Sequence, residues 1–127
     1  MGKPRAAIDL LAIGVSTGGP NALAVLLPAL PADLPVPVLI VQHMPAMFTR
    51  LLADRLDTQC SLRVREAAHG DPLEPGVIYI APGNFHMAVR RLGSASASTP
   101  TIAINQGPPE HSCRPAVDVL FRSAAQV

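Results

Sequence analysis

The sequence predicts an α/β domain: a mainly parallel sheet with helices on both faces, in a Rossmann-like three-layer arrangement. Three observations carry that expectation. Residues 8–15 (IDLLAIGV) and 36–42 (VPVLIVQ) are nearly continuous aliphatic runs, the pattern of strands covered on both faces of a parallel sheet. Each is followed by a helical signal instead of a tight turn, so the chain returns through a crossover, which should be right-handed. And 49% of the 127 residues are hydrophobic against 15% charged, enough aliphatic material for one covered core.

The elements follow in order. Gly18-Gly19-Pro20-Asn21 opens the first helix, with Pro20 suited to the first turn, where a missing N–H costs nothing. Ala22, Val25, Leu26 and Leu30 form its apolar face, and Pro28 and Pro31 end it. His43 stands where the second aliphatic run stops. After Pro45 a second helix places Phe48, Leu51, Leu52 and Leu56 on one side and Arg50, Asp54, Arg55 and Asp57 on the other. Residues 62–66 alternate, His69-Gly70-Asp71-Pro72 and Glu74-Pro75-Gly76 read as turns, and 77–81 is another apolar strand. This middle stretch reads as added sheet, partly antiparallel, with His69 and His86 in solvated polar turns. Residues 93–99 form a Ser- and Ala-rich loop, 101–105 a further strand, and Gly107-Pro108-Pro109 a turn. Pro115 opens the last helix, with Val117, Leu120, Phe121 and Ala124 inward. No internal repeat is present. Residues 1–7, with Lys3, Pro4 and Arg5, read as a linker or frayed start, and 8–127 as the domain.

Composition removes several function classes. The longest apolar run falls well short of the ~18 to 20 residues that span a bilayer, so no membrane insertion is expected. Three Phe, one Tyr, no Trp and a net charge of +1 provide neither stacking platforms nor a basic field, which argues against nucleic acid. The first seven residues are short and polar, without a following signal-peptide core, so the expected location is cytoplasmic with Cys60 and Cys113 as reduced thiols. His111 and Cys113 lack the second ligand pair that a structural zinc site needs. No metal and no cofactor are expected.

The segment Gly14-Val15-Ser16-Thr17-Gly18-Gly19-Pro20 lies at a strand-to-helix junction, the carboxyl edge at which open parallel sheets bind ligands. It lacks the lysine of a phosphate-binding P-loop and the first glycine pair of a dinucleotide fingerprint. It satisfies Gly-x-Ser-x-Gly with Gly14, Ser16 and Gly18, a turn that projects a serine Oγ and leaves the Thr17 N–H, beside Gly18 and Gly19, to hold an oxyanion. A plain connecting turn satisfies the same pattern. His43 ends the next strand on the same edge and has the chemistry of a general base for Ser16, although a histidine there serves equally well as a structural residue.

Four blocks, in order and spacing, resemble the chemotaxis response-regulator protein-glutamate methylesterases. They are Gly14-Val-Ser-Thr-Gly-Gly-Pro20, Gln42-His-Met-Pro45, Tyr79-Ile-Ala-Pro-Gly83 with His86-Met87, and Gly107-Pro-Pro109 with Arg114-Pro-Ala-Val-Asp-Val-Leu-Phe121. The resemblance covers residue 8 to the end and implies Ser16 as nucleophile and His43 as its base. It implies Tyr79, Pro82, His86, Arg114 and Asp118 as residues bordering the substrate cleft. The implied activity is hydrolysis of glutamate methyl esters on the cytoplasmic helices of chemoreceptors, together with deamidation of receptor glutamines. The family's orienting aspartate belongs to a Gly-Met-Gly-x-Asp-Gly loop beyond the last helix. The 127 residues therefore read as the N-terminal part of the catalytic domain, truncated at its C-terminal side, with Asp9 and Asp118 as weak substitutes for that acid. A receiver domain is expected in the parent protein. Self-association of the chain through uncovered sheet is also expected. The competing reading is a non-catalytic fragment that retains only a receptor-binding cleft.

Overall fold

A computed structural model describes residues 10–15, 19–91, 100–109 and 114–125. The elements are β1 (Leu11–Val15), α1 (Gly19–Leu26) with a following 3₁₀ turn (Leu27–Ala29), β2 (Val38–Gln42), α2 (Ala46–Asp57), β3 (Arg63–Glu66), β4 (Val77–Ile80), β5 (His86–Arg91), β6 (Pro100–Asn105) and α3 (Val117–Ala125). Four strands form a parallel sheet in the order β1-β2-β4-β3. β5 and β6 form a separate antiparallel pair.

Strand alternation sorts the core into two layers. On one face Val38, Ile40, Val64, Ile78 and Ile80 meet Leu23 and Leu27 from the α1 region and Leu52 and Leu56 of α2. On the other, Leu39, Val41, Val77 and Tyr79 meet Met87, Val89 and Ile102 of the antiparallel pair and Leu120 of α3. The sheet is thus covered on both sides, by two helices on one and by a helix with a β-ribbon on the other. Ser123 joins the second layer to itself: its hydroxyl donates to Leu120 O at 2.7 Å and accepts from Val89 N at 2.9 Å.

Several expectations are corrected. Residues 62–66 and 77–81 contribute β3 and β4 to the parallel sheet, and the antiparallel part lies later, in β5 and β6. β1 is an edge strand among the described residues, and Leu11 is 37% exposed. The buried residues of α1 and its 3₁₀ extension are Leu23 and Leu27, whereas Val25 (78% exposed) and Leu26 point outward. In α2 the buried set is Thr49, Leu52, Ala53 and Leu56, with Met47, Phe48 and Leu51 exposed. In α3 Leu120 is buried and Phe121 exposed. His86 is not in a solvated turn: it begins β5 and is buried.

Tyr79 is 1% exposed. Its hydroxyl donates to Pro72 O at 2.9 Å and accepts from Glu74 N at 3.1 Å, holding the β3–β4 connection against the sheet. Burial pushes the phenol above its ordinary pKa, and the hydrogen bond from the Glu74 N–H offsets this only in part. A phenol held neutral contributes stability below its unfolded pKa of about 10 and loses it as pH rises through the folded value. Tyr79→Phe is expected to cost about 1–2 kcal/mol near neutral pH, because two backbone groups lose their partner. The gap between the two proteins should narrow above about pH 10, as chemical denaturation at a series of pH values will show.

Candidate functional site

The site is organised by the carboxyl edge of the parallel sheet. β1 and β2 are aligned so that Val15 is the register partner of Gln42, and the chain continues from these to positions 16 and 43. Ser16, Thr17 and Gly18 lie outside the described residues, as do Asp9, His111 and Cys113. α1 begins at Gly19. His43 is exposed in the three-residue connection between β2 and α2, and Gln42 Nε2 reaches its carbonyl at 3.5 Å.

The loop after β4 lies directly against that connection. A Cβ at Gly83 would come within 2.5 Å of Met44 O, 2.6 Å of Ala46 N and 2.7 Å of Ala46 Cα, all backbone atoms. Only glycine permits this approach. The next residue, Asn84, has a φ of 67°, in the left-handed region that asparagine tolerates better than most.

Two cleft candidates are tied to this loop. Arg114 donates to Asn84 Oδ1 through Nε (3.2 Å) and NH2 (2.8 Å), and through NH1 to Gln106 O (3.1 Å) and Gly107 O (3.2 Å). Asn84 N in return donates to Arg114 O at 3.1 Å. His86 accepts from Ala116 N at Nδ1 (3.3 Å), so the proton sits on Nε2 and is donated to Pro108 O at 2.8 Å. Both rings of contact hold residues 106–109 and the start of α3 beside the 82–85 turn. Pro82 is half-buried in that turn, and Asp118 is exposed in the first turn of α3, where a carboxylate suits the helix dipole. The structure therefore gathers Pro82, His86 and Arg114 around one loop, and sets the Tyr79 hydroxyl apart, against residues 72–74.

Sequence reasoning passed over Thr49 and Glu66. Thr49 is fully buried, and its hydroxyl lies 2.5 Å from Glu66 Oε2, 3.1 Å from Ala46 O and 3.2 Å from Gly83 N. A threonine inside an apolar helical stripe was the available signal, since a buried hydroxyl must find partners. Cys60 is a poor nucleophile: burial, and then the Asp57 carboxylate, push its thiol above the usual range. Among the described residues no group of three or more His, Cys, Asp or Glu is placed to hold a metal ion, and no helix is long and apolar enough to cross a membrane.

Comparison with known proteins bears directly on this edge. The sequence profile described as CheB methylesterase matches residues 11–127. The chain belongs to the CheB methylesterase family. It is 52% identical over 125 residues to protein-glutamate methylesterase/protein-glutamine glutaminase 2 of Methanosarcina acetivorans, covering 98% of this chain and 35% of that protein. It is 53% identical over 118 residues to the protein-glutamate methylesterase/protein-glutamine glutaminase of Symbiobacterium thermophilum, covering 93% of this chain and 31% of that protein. The crystal structure of the Thermotoga maritima CheB methylesterase catalytic domain superimposes with a TM-score of 0.87 at 38% identity, over 96% of this chain and 62% of that one. The chain thus spans about a third of the length of these curated relatives. Membership in the CheB methylesterase family accounts for the four-stranded parallel sheet with helices, which is the α/β architecture expected from the aliphatic runs.

Proposed function

We propose that this chain carries the nucleophile and base of a protein-glutamate methylesterase, with Ser16 as nucleophile and His43 as general base. The observation that supports this reading best is the alignment of Val15 with Gln42. It makes the next residues of two neighbouring parallel strands a serine and a histidine, at the sheet edge where such folds do chemistry.

In this reading Ser16 Oγ attacks the γ-ester carbonyl of a methylated glutamate while His43 takes its proton. The backbone N–H of Thr17, the residue after the nucleophile, holds the developing oxyanion. Collapse of the tetrahedral intermediate expels methanol, which receives the proton from His43. A water deprotonated by His43 then attacks the acyl-serine, His43 returns that proton to Ser16 Oγ as the acyl bond breaks, and the glutamate leaves, losing its acid proton to solvent. A glutamine side chain follows the same course with ammonia as leaving group. The substrate is the cytoplasmic helical region of a chemoreceptor, and Pro82, Arg114 and Asp118 border the cleft that receives it.

The test is methanol release from a chemoreceptor cytoplasmic segment bearing glutamate methyl esters. Stoichiometric methanol with regeneration of glutamate is the expected result. Binding of the segment without methanol, in a protein whose fold is intact, would sink the enzymatic reading in favour of a receptor-binding module.

A further inference from the structure

We propose that Thr49 and Glu66 are positioning residues that set the His43 connection through the backbone of Gly83. This rests on the reading of Ser16 and His43 given above.

The argument begins with one hydroxyl. Thr49 has a single proton to donate and two lone pairs to accept with. Gly83 N–H donates to Oγ1 at 3.2 Å. Two acceptors lie near the Thr49 proton: Ala46 O at 3.1 Å and Glu66 Oε2 at 2.5 Å. The shorter contact, to a carboxylate, has the length of a charge-assisted bond and takes the proton. The result is a directed chain, Gly83 N–H to Thr49 O–H to the Glu66 carboxylate, in which each bond polarises the next.

The chain joins three neighbouring segments of the carboxyl edge: the start of α2, the end of β3 and the loop after β4. Gly83 in turn rests on Met44 O and Ala46 N without space for a Cβ, so fixing Gly83 fixes residues 44 and 46, the first and third after His43. This chain of bonds holds the connection that carries His43.

Packing alone does not call for this arrangement. Valine has nearly the shape of threonine and would fill the same fully buried position in α2 without the cost of burying a hydroxyl. Threonine is also no better a helix former than valine. The polar triad spends stability to place a loop, and that loop lies against residues 44 and 46, in the stretch that follows the candidate base.

The experiment measures the rate at which a fluorophosphonate, a serine-directed probe that needs no receptor substrate, modifies Ser16. It compares the parent protein with Thr49→Val, Thr49→Ser and Glu66→Gln, with Ser16→Ala as the blank and melting curves for each. Thr49→Val is expected to slow modification roughly 10- to 100-fold, the range that a small misplacement of a reacting group commands. Thr49→Ser, which keeps the hydroxyl, should restore the rate to within about threefold, and Glu66→Gln should slow it by at least about threefold. Should Thr49→Val not fold, Glu66→Gln, at a half-exposed residue, decides the matter. Parental rates in Thr49→Val or Glu66→Gln, or a Thr49→Ser protein no faster than Thr49→Val, would overturn the inference while leaving the Ser16–His43 reading intact. A parent protein unmodified at Ser16 would remove both.

Discussion

Ser16→Ala is expected to lower methyl ester hydrolysis by roughly 10³- to 10⁶-fold and to leave the melting temperature within a few degrees of the parent value. The size of the effect follows from the mechanism: without Oγ no acyl intermediate forms, and what remains is the contribution of substrate binding and the oxyanion donor. Stability should change little, because the substitution removes a single small hydroxyl just beyond the end of β1 and no apolar group. His43→Gln should produce a loss of the same order, since nucleophile and base act as a unit and their separate losses do not multiply. Steady-state assays of the two single variants and the double variant provide the check. A double variant far below either single one would mean that the two residues work independently.

Gly83→Ala is expected to be the most damaging single methyl group in the described structure. The new Cβ would meet three backbone atoms of residues 44 and 46 at 2.5–2.7 Å, and backbone does not rotate away. At Gly14 the corresponding neighbours are both γ-methyls of Val117, at 2.6 Å, on a stiff β-branched side chain, so relief there needs a shift of α3. Overpacking typically costs 1–3 kcal/mol, and a clash with three backbone atoms of one segment belongs at or above the upper end, about 3 kcal/mol. Activity should fall further than stability explains, because the atoms displaced are those that follow His43. Chemical denaturation of Gly14→Ala and Gly83→Ala, each paired with its turnover number, separates the two effects. Equal activity per folded molecule in Gly83→Ala and the parent would mean that the 81–84 loop supports the fold alone.

Much of this architecture was legible in the residues. Residues 38–41 and 77–80 are aliphatic or aromatic at every position and prove buried at every position, as strands covered on both faces must be. The faces of the helices were not legible, for a definite reason. Residues 22–27 (ALAVLL) are apolar throughout, so periodicity selects no side, and the choice of Leu23 and Leu27 over Val25 and Leu26 is made by the sheet that α1 meets. β5 escaped because HMAVRR has only two large apolar residues, Met87 and Val89, set between polar or small neighbours. His86 read as solvated because nothing local announces Pro108 O and Ala116 N as its partners, 22 and 30 residues away. The Thr49–Glu66–Gly83 chain is hidden in the same way, its links spanning 17 and 34 residues. Contacts of that range are decided by topology.

The most direct measurement of the central claim is a crystal structure of the protein after reaction with a fluorophosphonate. Expected is a phosphorus atom bonded to Ser16 Oγ, with a ring nitrogen of His43 within hydrogen-bond reach of Oγ or one water beyond it. A phosphorus atom on any other residue, or a His43 ring more than about 6 Å from Ser16 Oγ with protein atoms between them, would contradict the assignment of nucleophile and base.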